Sequence, residues 1–60
     1  MTDLKQLRKM RGVTQVDVAR AIDCPRPIYA LIEKGEMPPR PGDLEALANY
    51  FNVSVGYLQK

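Results

Sequence analysis

The sequence predicts an all-α fold, a compact domain of five short helices, and three observations carry that prediction. Apolar residues recur at helical spacing: Val18, Ala19 and Ile22 at i, i+1 and i+4, Tyr29 and Ile32 at i and i+3, and Leu44, Leu47, Ala48 and Phe51 at i, i+3, i+4 and i+7. Good N-caps stand ahead of the segments (Thr2 or Asp3, Thr14, Ser54) and good stops behind them (Gly12, Gly35, Asn52). The stretch Thr14 to Gly35, TQVDVARAIDCPRPIYALIEKG, joins two helices by a turn too short for them to lie antiparallel. The pair must cross steeply, with its second member pushed outward.

Taken in order, helix 1 is expected from a cap at Thr2 or Asp3 to about Arg11, with Leu4, Leu7 and the stem of Met10 or Arg11 turned inward and Gly12 as the stop. Lys5 and Lys9, four apart, share an outer face. Helix 2 starts at the N-cap Thr14, where Asp17 completes a capping box, and runs to about Ile22. Gln15 is its first residue, beside free N–H groups at the positive end of the helix dipole. Helix 3 is expected at about Pro25 to Lys34, with Pro27 in the first turn, where a missing N–H is tolerated. Val18, Ala19, Ile22, Cys24, Tyr29 and Ile32 close on one another across the turn, which leaves Arg26, Pro27, Ile28, Ala30 and Leu31 outward. After Gly35 the segment EMPPRPG is a proline-stiffened loop flanked by Lys34 and Arg40. Helix 4 runs from about Asp43 to Phe51, and Ser54 caps a last helix, Val55 to Gln59, in which Leu58 packs inward and Tyr57 stays partly exposed.

Sixty residues make one domain, 1–60, which buries only about 60% of the surface its unfolded chain exposes, so the core is small. An apolar fraction of 45% and a charged fraction of 27%, with no membrane-length apolar run and no secretory signal, describe a soluble globule expected in the cytoplasm. One cysteine and no histidine rule out an intrachain disulfide and leave no metal site or cofactor to expect. Cys24 reads as a small apolar plug. With Ser54 the one serine and no imidazole, no base-assisted nucleophile can be assembled, and the seven carboxylates are scattered, so an enzyme is not expected. The formal charge is +2, but residues 1–34 hold seven basic groups against four acidic and residues 35–60 two against three. The half with the crossed helix pair therefore suits a polyanion.

The segment Thr14 to Gly35, with the small Ala19 where the helices touch and Glu33-Lys34-Gly35 closing the second, resembles the helix-turn-helix of the Cro/C1-type (XRE) family of phage-repressor-like proteins. The similarity extends from Leu4-Lys5-Gln6-Leu7-Arg8 through Gly12-Val13-Thr14-Gln15 to Leu47-Ala48 and Val53-Ser54-Val55. It implies a lambda-repressor-like domain that binds double-stranded DNA with helix 3 in the major groove, and by family habit represses transcription. It implies an ion pair between Arg8 and Glu33, a DNA phosphate held by Gln15, and a loop that brings Lys34 and Arg40 to the sugar–phosphate backbone, with the N-terminal ends of helices 2 and 4 holding phosphates. It further implies dimer contacts near the C-terminus, for which Tyr50, Val55 and Tyr57 are candidates, and a homodimer on a pseudo-palindromic operator.

The chain departs from the family at three places. Asp23 stands where glycine is usual, although Asp tolerates the left-handed turn conformation. Pro25 stands where a Ser or Thr cap is common. The outer face of helix 3 is poor in hydrogen-bonding groups: Arg26 is the one clear base reader, toward guanine, while Ile28 and Ala30 could meet only a thymine methyl. Apolar residues at Pro27, Ile28 and Leu31 equally fit the alternative of a protein-interaction module of the same fold.

Overall fold

The computed structural model describes residues 3–59, so a capping role for Thr2 lies outside the described residues. Within them the chain forms α1 (Leu4–Met10), α2 (Gln15–Ala21), α3 (Arg26–Lys34), α4 (Asp43–Phe51) and α5 (Val55–Leu58), with no strand. Local chemistry sets each start. The Asp3 carboxylate accepts from the Gln6 amide at 3.2 Å, and the Ser54 hydroxyl from the Tyr57 amide at 3.0 Å. At α2 the Thr14 hydroxyl accepts from the Asp17 amide at 3.1 Å, while the Asp17 carboxylate accepts from the Thr14 amide at 2.9 Å. The bond from the Thr14 amide leads in holding the Asp17 carboxyl below its usual range.

Four helices end on one device, a residue with positive φ followed by a pair of backbone bonds that return to the last turn. At α1 the Gly12 amide donates to Lys9 O and the Val13 amide to Arg8 O; at α3 the Gly35 amide donates to Ile32 O and the Glu36 amide to Leu31 O. At α2 and α4 the same positions are filled by Asp23 (φ 55°) and Asn52 (φ 58°). Their closing bonds are Cys24 N to Ala19 O at 2.8 Å and Val53 N to Ala48 O at 2.9 Å. A left-handed residue reverses the chain at once, which keeps the connections short.

Leu4 and Leu7 from α1, Val18 and Ala19 from α2, Tyr29 and Ile32 from α3, Leu47, Ala48 and Phe51 from α4 and Leu58 from α5 form one core with Ile22 and Cys24. α2 packs against both α3 and α4, and α4 against α5. Val18, Tyr29, Leu47, Phe51 and Leu58 have no exposed surface, so each helix except α1 contributes a sealed residue. The radius of gyration, 10.0 Å, is the value of about 10 Å that a folded chain of this length should have.

The inward placement of Met10 or Arg11 is corrected: Met10 is 72% exposed and Arg11 is exposed as well, because α1 ends at Met10 and the chain turns away at Gly12. Ile28, Ala30 and Leu31, expected on the outer face of helix 3, are half-buried, and Ile28 packs against the edge of the core. A nine-residue helix with two sealed positions, Tyr29 and Ile32, draws the flanking positions partly under its neighbours.

Candidate nucleic-acid interface

α3 enters from Pro25, which is extended (φ −59°, ψ 137°), and has Pro27 in its first turn, so its leading end lacks two backbone donors and has no side-chain cap. What it offers instead is side chains. Arg26 and Pro27 are exposed at the front, Lys34 at the rear, and Ile28, Ala30 and Leu31 half-exposed between them.

Behind this helix runs a chain of hydrogen bonds. Arg8 donates to Glu33 through a fork, Nε to Oε2 at 3.0 Å and Nη2 to Oε1 at 3.1 Å, and its Nη1 donates to Val13 O at 3.2 Å. The pair is withdrawn from water, the Arg8 side chain being 13% and that of Glu33 4% exposed. Gln15 continues the chain: its Nε2 donates to Glu33 Oε1 at 3.2 Å, and its Oε1 accepts from Arg26 Nη1 at 3.1 Å. Burial raises the Glu33 carboxyl, but the hydrogen bonds from Arg8 and Gln15 outweigh it, and the group lies below its ordinary range. The Arg8 guanidinium is held above its ordinary value, chiefly by its hydrogen bond to Glu33. Burial, and after it the Glu33 carboxylate, push the Tyr29 phenol well above the usual tyrosine range.

The structure thus brings Arg8, Gln15, Arg26 and Glu33 into one line from interior to surface. Sequence reasoning placed Gln15 beside free N–H groups and did not see it joined to Arg26, eleven positions away. One N–H of the Gln15 amide remains for an outside acceptor.

Arg40 has partners other than the phosphate expected for it. Its backbone amide and Nε donate to Asp43 Oδ2 at 2.8 and 2.9 Å, and its Nη2 to Asp43 Oδ1 at 3.1 Å. The same Nη2 reaches Asp23 O at 3.2 Å and Ile22 O at 3.5 Å. Asp43 is buried, 4% exposed, and its carboxyl is held low, first by the Arg40 side chain. The start of α4, expected to hold a phosphate, carries Asp43 and Glu45 in its first turn, and two carboxylates there repel an anion. The signal that could have shown this was the i, i+3 spacing of Arg40 and Asp43 across a helix start.

Tyr50 and Tyr57 are 37% and 41% exposed, and Val55 is half-buried against the core. The Tyr50 ring meets Phe51 edge-on, centroids 5.0 Å apart, which fixes one side of that surface. No helix among the described residues is long and apolar enough to cross a membrane. Among the described residues no group of three or more His, Cys, Asp or Glu could hold a metal ion.

A helix-turn-helix family model matches residues 4–58 of the chain. No curated protein and no solved structure matches it.

Proposed function

The chain belongs to the Cro/C1-type (XRE) helix-turn-helix family of DNA-binding regulatory domains, and on that premise we propose that it recognises a specific duplex sequence through α3 and represses transcription there. The observation that carries this reading is the front of α3, where an exposed Arg26 is held by the Gln15 amide at 3.1 Å while Tyr29 and Ile32 seal the opposite face. A guanidinium so fixed suits the O6 and N7 acceptors of guanine in a major groove, and Ile28 and Ala30 suit a thymine methyl. Gln15, through its remaining N–H, and Lys34 hold phosphates, which set register without reading sequence. Arg40, committed to Asp43 and the carbonyls of Ile22 and Asp23 just after α2, is not in this set. Single modules of this kind bury on the order of 600–1,000 Å², so two copies joined near Tyr50, Val55 and Tyr57 would bind half-sites about 34 Å apart.

Selection of binding sites from random duplex DNA tests the proposal. The expected result is a two-fold motif with guanine at a fixed place in each half, lost in Arg26→Ala. A motif that keeps its guanine in Arg26→Ala overturns the base assignment. Failure to enrich any sequence overturns the DNA reading and leaves the docking of a protein on the face of Pro27, Ile28 and Leu31.

A further inference from the structure

We infer that Arg40 is a positioning residue, which clamps the turn between α2 and α3 to the start of α4 and so sets how α3 and Arg26 are presented. The clamp has two jaws. On one side the fork of Nε and Nη2 grips both oxygens of Asp43, at 2.9 and 3.1 Å. On the other, Nη2 reaches Asp23 O at 3.2 Å and Ile22 O at 3.5 Å, the carbonyls on which α2 ends. A cation there complements the negative end of the α2 dipole and faces a backbone that Asp23 holds at φ 55°. Cys24 and Pro25 follow directly and lead into Arg26, so a shift of this turn shifts the front of α3.

Arg40 is not free to leave. Asp43 is 4% exposed, and withdrawal of the guanidinium would strand a buried carboxylate, which is far costlier than parting a surface pair. Pro38, Pro39 and Pro41 on either side restrict the backbone from which the side chain hangs. Geometry also excludes lysine as a substitute, because a point charge cannot grip two carboxylate oxygens and two carbonyls from one planar fork.

The experiment compares Arg40→Ala, Arg40→Lys and Asp43→Asn with the parent chain. Amide exchange without DNA reads the turn, and affinity for a short mixed-sequence duplex across a salt series reads presentation; the second arm rests on the DNA-binding reading. Affinity is measured at a temperature where each chain is fully folded. The expected result is exchange of the Cys24 amide about tenfold faster in all three variants, affinity reduced about three- to tenfold, and an unchanged slope of log affinity against log salt. Arg40→Lys must fail to rescue. A salt slope smaller by about one with unaltered exchange makes Arg40 a phosphate contact and overturns the clamp. Rescue by Arg40→Lys, or faster exchange with unaltered affinity, overturns it too. Should Arg40→Ala not fold, Asp43→Asn, which keeps size and one acceptor, decides between the same outcomes. If no duplex binds the parent chain, the DNA reading falls while the exchange result still decides whether the turn is clamped.

Discussion

Glu33 accepts three hydrogen bonds, two from Arg8 and one from Gln15, with little water around it. Glu33→Gln leaves the Arg8 guanidinium facing a neutral amide, and the expected loss is about 2–3 kcal/mol, below that of a fully buried pair because Arg8 keeps some solvent. The sign of the pH dependence follows from the carboxyl's lowered folded-state value. Above the ordinary glutamate value of about 4.3 the full stabilisation is present; as pH falls through the lower folded value it is lost, because the unfolded chain binds the proton more readily. Melting temperature followed from neutral pH into acid should therefore fall less steeply in Glu33→Gln than in the parent, with Asp17 and Asp43, also held low, keeping part of the slope. Gln15→Ala should weaken every duplex sequence through the lost phosphate contact, and those with the selected guanine most, because Arg26 is loosened as well, seen as a weaker guanine preference in the selected motif. Of this network, only the link between Arg8 and Glu33 was legible in the sequence, and that through family resemblance. The Gln15 bonds depend on how two helices meet, which spacing along the chain does not encode.

At the level of the elements, the caps and stops were legible because each is a contact between residues three to five apart. Thr14 with Asp17, Ser54 before α5, and Gly12, Gly35 and Asn52 as stops can be read from chemistry that involves no distant neighbour. Asp23 is the strained member of that set: a non-glycine residue with positive φ whose carboxylate stands at the negative end of a helix. Asp23→Gly should raise stability by about 0.5–1 kcal/mol, a few degrees in melting temperature by calorimetry. A fall instead would mean that the side chain stabilises the turn. The reach of Arg40 across 17 positions to Asp23 was not legible, since nothing local distinguishes a clamped arginine from one waiting for a phosphate. The half-burial of Ile28 and Leu31 escaped for a like reason: helical periodicity gives the angle of a side chain but not the depth to which the rest of the fold covers it.

For the whole molecule, a core drawn from five short helices leaves little redundancy. Phe51, sealed at the centre, should cost about 3–5 kcal/mol when cut to Ala, enough to unfold much of a domain whose total lies at the low end of about 5–15 kcal/mol. Circular dichroism at room temperature checks it. Nine basic against seven acidic residues, with Arg8 and Arg40 of the former tied up in ion pairs, predict a salt slope of only about −2 to −4 per copy for duplex binding, measurable by titration at several ionic strengths. All five prolines lie between positions 25 and 41, one in the first turn of α3 and the other four on its two flanks. A reading element hung between such stiff segments arrives already shaped, so its association should resemble the meeting of two rigid bodies. Calorimetry of the complex would then show a heat-capacity change no greater than that of the surface removed from water, without the larger decrement of a partner that must fold as it binds.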